Sequence, residues 1–126
     1  MAVLTIQRDE LTAEFFDGTA RGALLIRRCH DCGHDNPPAA RTCAGCLSAH
    51  LAWTPALGTG GVVSWTVVHD KASGTRTVAA IVELDEGPWL HAQLTSVDPA
   101  AIVAGLRVRV DFERPEGGEA IPVFRP

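Results

Sequence analysis

Cys29-His-Asp-Cys32-Gly33, and after a further run the pair Cys43-Ala-Gly-Cys46, is the stretch that decides how this chain folds. Each C-x-x-C pair is a metal knuckle: two intervening residues let one tight turn aim both sulfurs at a single point. Two such turns complete the tetrahedron that zinc accepts, at Zn–S distances near ~2.3 Å. Gly33 and Gly45 are read as the residues that give these turns their backbone freedom. Four protein ligands close the coordination sphere, so the spacing predicts a structural zinc ion held by Cys29, Cys32, Cys43 and Cys46 that folds the chain and does not catalyse. Iron in the same four-sulfur cage, as in rubredoxin, stays open as the alternative metal. A thioredoxin-like motif would use one pair and leave the other unexplained. Disulfides are disfavoured in a reducing compartment. His30, His34 and His50 lie beside a site already filled and read as exposed loop histidines. Arg27, Arg28 and Arg41 flank the knuckles, where they offset thiolate charge or reach an anionic ligand.

Working outward, Thr12 to Asp17 reads as a short helix with Thr12 or Asp9 near its start, ending around Gly18 to Gly22. Phe15 and Phe16 are adjacent and cannot share one face of an isolated helix, so one of them seeks a partner surface or both pack on the chain's own ribbon or barrel. Ala23 to Arg28 is an extended segment delivering Cys29. Asn36-Pro37-Pro38 is a loop.

After Cys46 the pattern changes to short apolar or β-branched runs punctuated by glycine, proline and acidic turns. The expected strands are Leu51 to Thr54, Gly61 to His69, Thr77 to Leu84, Trp89 to Thr95, Arg107 to Glu113 and Ile121 to Phe124. Lys71 to Gly74 and Asp85 to Pro88 read as hairpin loops. Asp98 caps a single helical turn with Pro99 at its first position, and Gly105 ends it. The fold class is therefore mainly β: an N-terminal helical segment over 1–22, a rubredoxin-like zinc ribbon over 23–50, and a five-stranded OB-fold barrel over 51–126.

At 126 residues the chain is one ordinary domain or two very small modules. Its composition, 46% hydrophobic and 21% charged, is that of a globular protein, and no apolar run is long enough to span a bilayer. The first residues lack the basic start, apolar stretch and cleavage site of a secretory signal, so a cytoplasmic location is expected. The formal charge of -4 would deepen by two with four thiolates around one divalent zinc. With Lys71 the only lysine and ten scattered arginines, nucleic-acid binding is not expected.

No catalytic set is legible. Ser48, Ser64, Ser73 and Ser96 lack a nucleophile elbow. Gly58-Thr-Gly-Gly61 has neither the spacing nor the lysine of a phosphate loop and reads as a bulge or tight strand entry. Asp85 and Glu86 sit in a hairpin loop and read as turn formers. His69 and His91 lie on strands, and they and Trp53, Trp65 and Trp89 read as structural or interface residues.

Taken together, the helix with Phe15-Phe16, Gly18 and Gly22, the run Leu24-Leu-Ile-Arg-Arg-Cys29-His-Asp-Cys32-Gly33, and Pro38 with Arg41 before Cys43-Ala-Gly-Cys46 carry a resemblance. It continues through Trp53, Gly58-Thr-Gly-Gly-Val-Val-Ser-Trp-Thr-Val-Val-His69 and Ile121-Pro-Val-Phe-Arg-Pro126. Over nearly its whole length the chain resembles the acyl-CoA-associated family that joins a rubredoxin-like zinc ribbon to an OB-fold, long catalogued as a domain of unknown function. Ala44 stands where the family often has proline after the cysteine; it does not coordinate, so ligation is unaffected. The resemblance implies an accessory subunit, not catalytic alone, of a thiolase-like aldolase or acyltransferase acting on acyl-CoA, for example in degradation of steroid or fatty acyl side chains. The implied partner is a thiolase-like protein in a hetero-oligomer. The alternatives are a stand-alone acyl-CoA-binding module and a rubredoxin-like electron carrier. Arg76, Arg107 and Arg109 are candidate contacts for the anionic coenzyme, with solvated strand positions as the competing reading.

Overall fold

The computed structural model describes residues 7–126. The N-terminal helix, α1, spans Ala13–Ala20. Asp9 holds the turn leading into it: one carboxylate oxygen accepts the backbone N–H groups of Leu11 and Thr12 at 2.9 and 3.0 Å. Thr12 occupies the N-cap without a side-chain cap bond. The adjacent phenylalanines pack on the chain itself. Phe16 is buried, and Phe15 lies edge-on to it at 5.3 Å while packing against the common core. Phe15 also meets Trp53 at 6.4 Å between ring centroids.

Three short strands make the ribbon sheet: β1 (Leu25–Cys29), β2 (Asp35–Asn36) and β3 (Leu51–Pro55), in the order β2-β1-β3. Here the structure differs from the sequence reading, which grouped Leu51 onward with the barrel. β3 pairs antiparallel with β1 along its whole length, Leu25 opposite Pro55 and Cys29 opposite Leu51. The reason is geometric. β1 ends on Cys29, the first cysteine of the pair of knuckles, and needs a second edge partner, and β2 is only two residues long.

The remaining strands, β4 (Thr59–His69), β5 (Arg76–Leu84), β6 (Trp89–Leu94), β7 (Arg107–Glu113) and β8 (Ile121–Arg125), close into a barrel in the order β4-β5-β6-β8-β7. All neighbours are antiparallel except β6 and β8, which gives the Greek-key order of an OB-fold. Period-2 alternation works as expected in β5, where Val78, Ala80, Val82 and Leu84 turn inward and are buried. A register shift between Val62 and Ser64 bends β4, the longest strand. Gly60 marks the tight strand entry read from the sequence: a Cβ there would stand 2.3 Å from the Glu83 carbonyl oxygen on β5. Between β6 and β7, Asp98 accepts the Ala100 N–H at 3.0 Å and caps the single 3-10 turn Pro99–Ala101.

Ribbon and barrel share one core. Leu24 and Ile26, flanking and entering β1, sit in the same buried cluster as Val62, Val82, Leu94 and Phe124. Two hydrogen bonds reinforce the junction, from Ala56 N–H to the Leu24 carbonyl and from Leu57 N–H to the Glu86 carboxylate, 2.8 and 2.7 Å. Small modules bury little apolar area each, and a joint core offsets that shortage.

Candidate functional site

The two knuckles are near copies in backbone conformation. In the first, the N–H of Gly33 donates to the Cys29 carbonyl at 2.9 Å, and the Cys29 N–H donates to the His34 carbonyl at 2.9 Å. In the second, Leu47 donates to the Cys43 carbonyl and Cys43 to the Ser48 carbonyl, both at 2.8 Å. The left-handed residue closing each turn is Gly33 with φ 78° and Leu47 with φ 65°. Gly45, which the sequence suggested for that role, is not in the left-handed region; its N–H instead donates to the Cys43 sulfur at 3.3 Å.

These turns bring all four cysteine sulfurs within 4.8 Å of one another. Across the knuckles, Cys29 stands 3.5 Å from Cys46 and Cys32 stands 3.5 Å from Cys43. The sulfur–sulfur edge of a zinc tetrathiolate is about 3.8 Å, so the donor set fits a tetrahedral metal with small adjustment. The four cysteines can hold a metal ion, as their spacing predicted.

The thiols are unequal. Burial by itself raises Cys43, but the N–H groups of Cys46 and Gly45 and the Asn36 amide favour its thiolate and bring it down to about 6. Cys29 is lowered in the same way: burial opposes, and the N–H groups of Cys32 and Asp31 prevail. In Cys32 the His34 N–H pulls downward, yet the contact with Cys43, burial and the contacts with Cys46 and Cys29 push it up to about 12. Cys46 is also raised: the Ser48 N–H pulls its thiol down, but the contacts with Cys29 and Cys43, together with burial, outweigh it. Each knuckle therefore starts on a thiolate-prone sulfur and ends on a proton-bearing one.

Around the centre, the flanking arginines do other work than neutralising sulfur. Arg28 pairs with Asp35 at 2.8 Å. Arg27 lies 4.5 Å over the Trp53 ring and donates to the Leu51 carbonyl at 2.9 Å, tying β1 to β3. Arg41 is exposed and enters no ion pair among the described residues. Ser48, Asp31 and His50 come together, but in an order unlike a nucleophilic triad: Asp31 accepts from the Ser48 hydroxyl and faces His50 Nδ1 at 3.5 Å. The hydroxyl is spent on the acid, so the group braces the ribbon.

The residue missed by sequence reasoning is Asn36, the chain's one asparagine, read there only as part of a loop. It is fully buried. Its carbonyl oxygen accepts the Ala44 N–H at 3.0 Å, and its amide nitrogen donates to the carbonyls of Arg27 and His34 at 3.3 and 3.2 Å. The only signal in the sequence was an uncharged amide placed between the knuckles and ahead of two prolines.

Directly after Asn36, Pro37, Pro38 and Ala39 form one wall of an open, mainly apolar groove of about 1250 Å³. Phe15 of α1 and the outward residues of β4, β5 and β6 complete it, among them Trp65 and Ile81. Trp65 and Trp89 are 37% and 53% exposed there, large aromatic surface left uncovered by the fold. His91 stands at the groove, while His69 is exposed at the end of β4.

The acids form no catalytic pair. Asp85 is bound by Arg107 at 2.8 Å and by the Thr59 hydroxyl, and Glu86 accepts the Leu57 N–H. Arg107 is thereby committed to Asp85, whereas Arg76 and Arg109 are exposed without an ion pair among the described residues. No helix among the described residues is long and apolar enough to cross a membrane.

Comparison with known proteins matches residues 53–113 to the C-terminal OB-fold domain of ChsH2. A probable enoyl-CoA hydratase alpha subunit of Thermomonospora curvata is 34% identical over 96% of this chain, which spans 38% of that protein's length. A DUF35 domain-containing scaffold protein of Pyrococcus furiosus is 35% identical over 69% of this chain and 66% of its own. A chain of the Ltp2-ChsH2(DUF35) aldolase superposes with a TM-score of 0.81 at 33% identity, covering 98% of each chain. The ribbon with its four cysteines, the closed barrel and this end-to-end likeness lead to one conclusion: the chain belongs to the DUF35 family, with an OB-fold of the ChsH2 type.

Proposed function

We propose that this chain is a non-catalytic accessory subunit that binds a thiolase-like acyl-CoA enzyme, an aldolase or acyltransferase of steroid or fatty acyl side-chain degradation, and supports its acyl-CoA site. The observation that carries this reading is the likeness, over 98% of both chains, to a chain of the Ltp2-ChsH2(DUF35) aldolase. The scaffold and alpha-subunit names of the relatives agree with it. So does the chemistry: the acids are engaged in turns, and the large apolar feature is an open groove rather than an enclosed cavity. In this reading Cys29, Cys32, Cys43 and Cys46 hold a structural zinc in a cytoplasmic protein, and the zinc organises the loop that walls the groove.

Co-expression with a thiolase-like protein encoded nearby tests the proposal. The two are expected to elute together, and the partner is expected to lose activity when purified alone. Separate elution with full activity of the partner would sink it. The size and apolar lining of the groove favour, as a second reading, a stand-alone acyl-CoA-binding module. Calorimetry with short- and long-chain acyl-CoA on the isolated chain decides that case, since absence of heat at millimolar ligand ends it.

A further inference from the structure

We propose that Asn36 preassembles the four-sulfur site, its buried amide fastening the second knuckle and the groove-lining loop to the first knuckle before a metal arrives. The inference rests on reading the cysteines as metal ligands, and its test separates the two. The knuckles come from different parts of the chain, and β2, which follows the first of them, pairs with β1 through only Arg27↔Asn36 and Arg28↔Asp35. So short a ladder does not hold Cys43 and Cys46 in place. The other hydrogen bonds from the first knuckle to the segment after Cys46, from the half-buried Ser48 to the exposed Asp31 and between the exposed His30 and His50, lie at the surface, where water competes.

Asn36 is different in three respects. It is fully buried, it makes three hydrogen bonds, and its partners lie on β1, on the first knuckle and on the second. One of them, the His34 carbonyl, also receives the N–H of the ligand Cys29. Another, the Ala44 N–H, belongs to the residue next to the ligand Cys43. Buried polar groups are costly unless satisfied, so these bonds define one arrangement of the two knuckles. Only a neutral amide supplies an acceptor and two donors at this length. Aspartate would add a charge beside thiolates, and leucine would keep the shape but offer no bond. Because Pro37 to Ala39 follow immediately, the same anchor sets the position of the groove wall. Asn36 is thus a positioning residue acting on the metal through Cys43 and Cys29.

Two measurements on the full-length chain test this. In the metal-free wild type, the Ala44 amide is expected to exchange its hydrogen about tenfold or more slowly than an unstructured amide. Free exchange at Ala44, including exchange caused by collapse of the metal-free ribbon, would overturn preassembly. In Co²⁺ titrations, Asn36→Leu is expected to bind about 10- to 100-fold more weakly than wild type, with altered visible bands of the cobalt-thiolate centre. Ser48→Ala, which removes the exposed bond, is expected to change affinity less than about threefold. Unchanged affinity and spectrum in Asn36→Leu would refute the role of Asn36 while leaving the metal site standing. A wild-type chain that binds no Co²⁺ or Zn²⁺ would overturn the metal site itself and this inference with it.

Discussion

Leu47 stands in the second knuckle where Gly33 stands in the first. Both donate their N–H to the carbonyl of the first cysteine of their turn, and both have φ in the left-handed region, 65° and 78°. For a leucine that conformation costs about 1–2 kcal/mol, and at 79% exposure its side chain recovers little by packing. Leu47→Asn is therefore expected to raise stability of the metal-loaded protein by about 0.5–1 kcal/mol, because asparagine tolerates the left-handed region. Gly33→Ala is expected to lower it by about 1–2 kcal/mol. Urea unfolding of the three proteins checks both signs; equal midpoints would show that the turns are not strained.

At Gly60 the constraint is space. A methyl group there meets the Glu83 carbonyl at 2.3 Å, and the backbone of β5 has no room to retreat inside a closed barrel. Gly60→Ala is expected to cost about 1–3 kcal/mol, read as a lower thermal midpoint with the metal content unaltered. A midpoint within a degree of wild type would mean that β4 and β5 separate easily.

Metal affinity should rise steeply with pH, with the following sign. Cys32, up to about 12, and Cys46, also raised, carry protons in the free site and must release them when a metal binds. Cys43, at about 6, is already largely thiolate near neutrality, and Cys29 is lowered from the ordinary thiol value. Binding thus releases about two to three protons, and affinity is expected to climb about 100- to 1000-fold per pH unit near pH 7–8, with a steeper loss below about pH 6 as Cys43 takes up its proton. Competition with a chelator of known affinity across that range measures the slope. A slope near zero would contradict the unequal thiols.

The exposed tryptophans bear on the proposed partner. Trp65→Ala and Trp89→Ala are each expected to weaken association with a thiolase-like partner about tenfold or more, while the barrel unfolds as before. Trp89 is held across the β5–β6 pair by a 2.9 Å bond from its indole N–H to Glu83, so Glu83→Gln is expected to have a smaller effect in the same direction. Undiminished binding by both tryptophan variants would remove the groove from the interface.

Cys29→Ser tests how far the metal organises the chain. Cys29 is buried at the end of β1, and its loss is expected to disorder the ribbon and the Pro37 to Ala39 wall together, lowering metal content and partner binding in parallel. Partner binding that survives metal loss would separate the groove from the centre.

Residue types and local spacing determined a great deal by themselves. The clustering of the four cysteines follows from two C-x-x-C turns, the cap of the 3-10 turn from Asp98 before Pro99, and the barrel strands from period-2 alternation, since each depends on neighbours a few residues apart. What lay beyond the sequence were relationships between distant residues that no local pattern encodes. That β3 joins β1, that Arg27 rests on Trp53 rather than on sulfur, and that Leu47 rather than Gly45 takes the left-handed position emerge only when the knuckles close on a shared point. The fate of Asn36 is the clearest case. In sequence it is a polar residue before two prolines, and only burial at the junction of two knuckles and a strand turns its amide into the hub that joins them. The groove is tertiary for the same reason: its walls come from the helix, the ribbon loop and the barrel, brought together by one shared core.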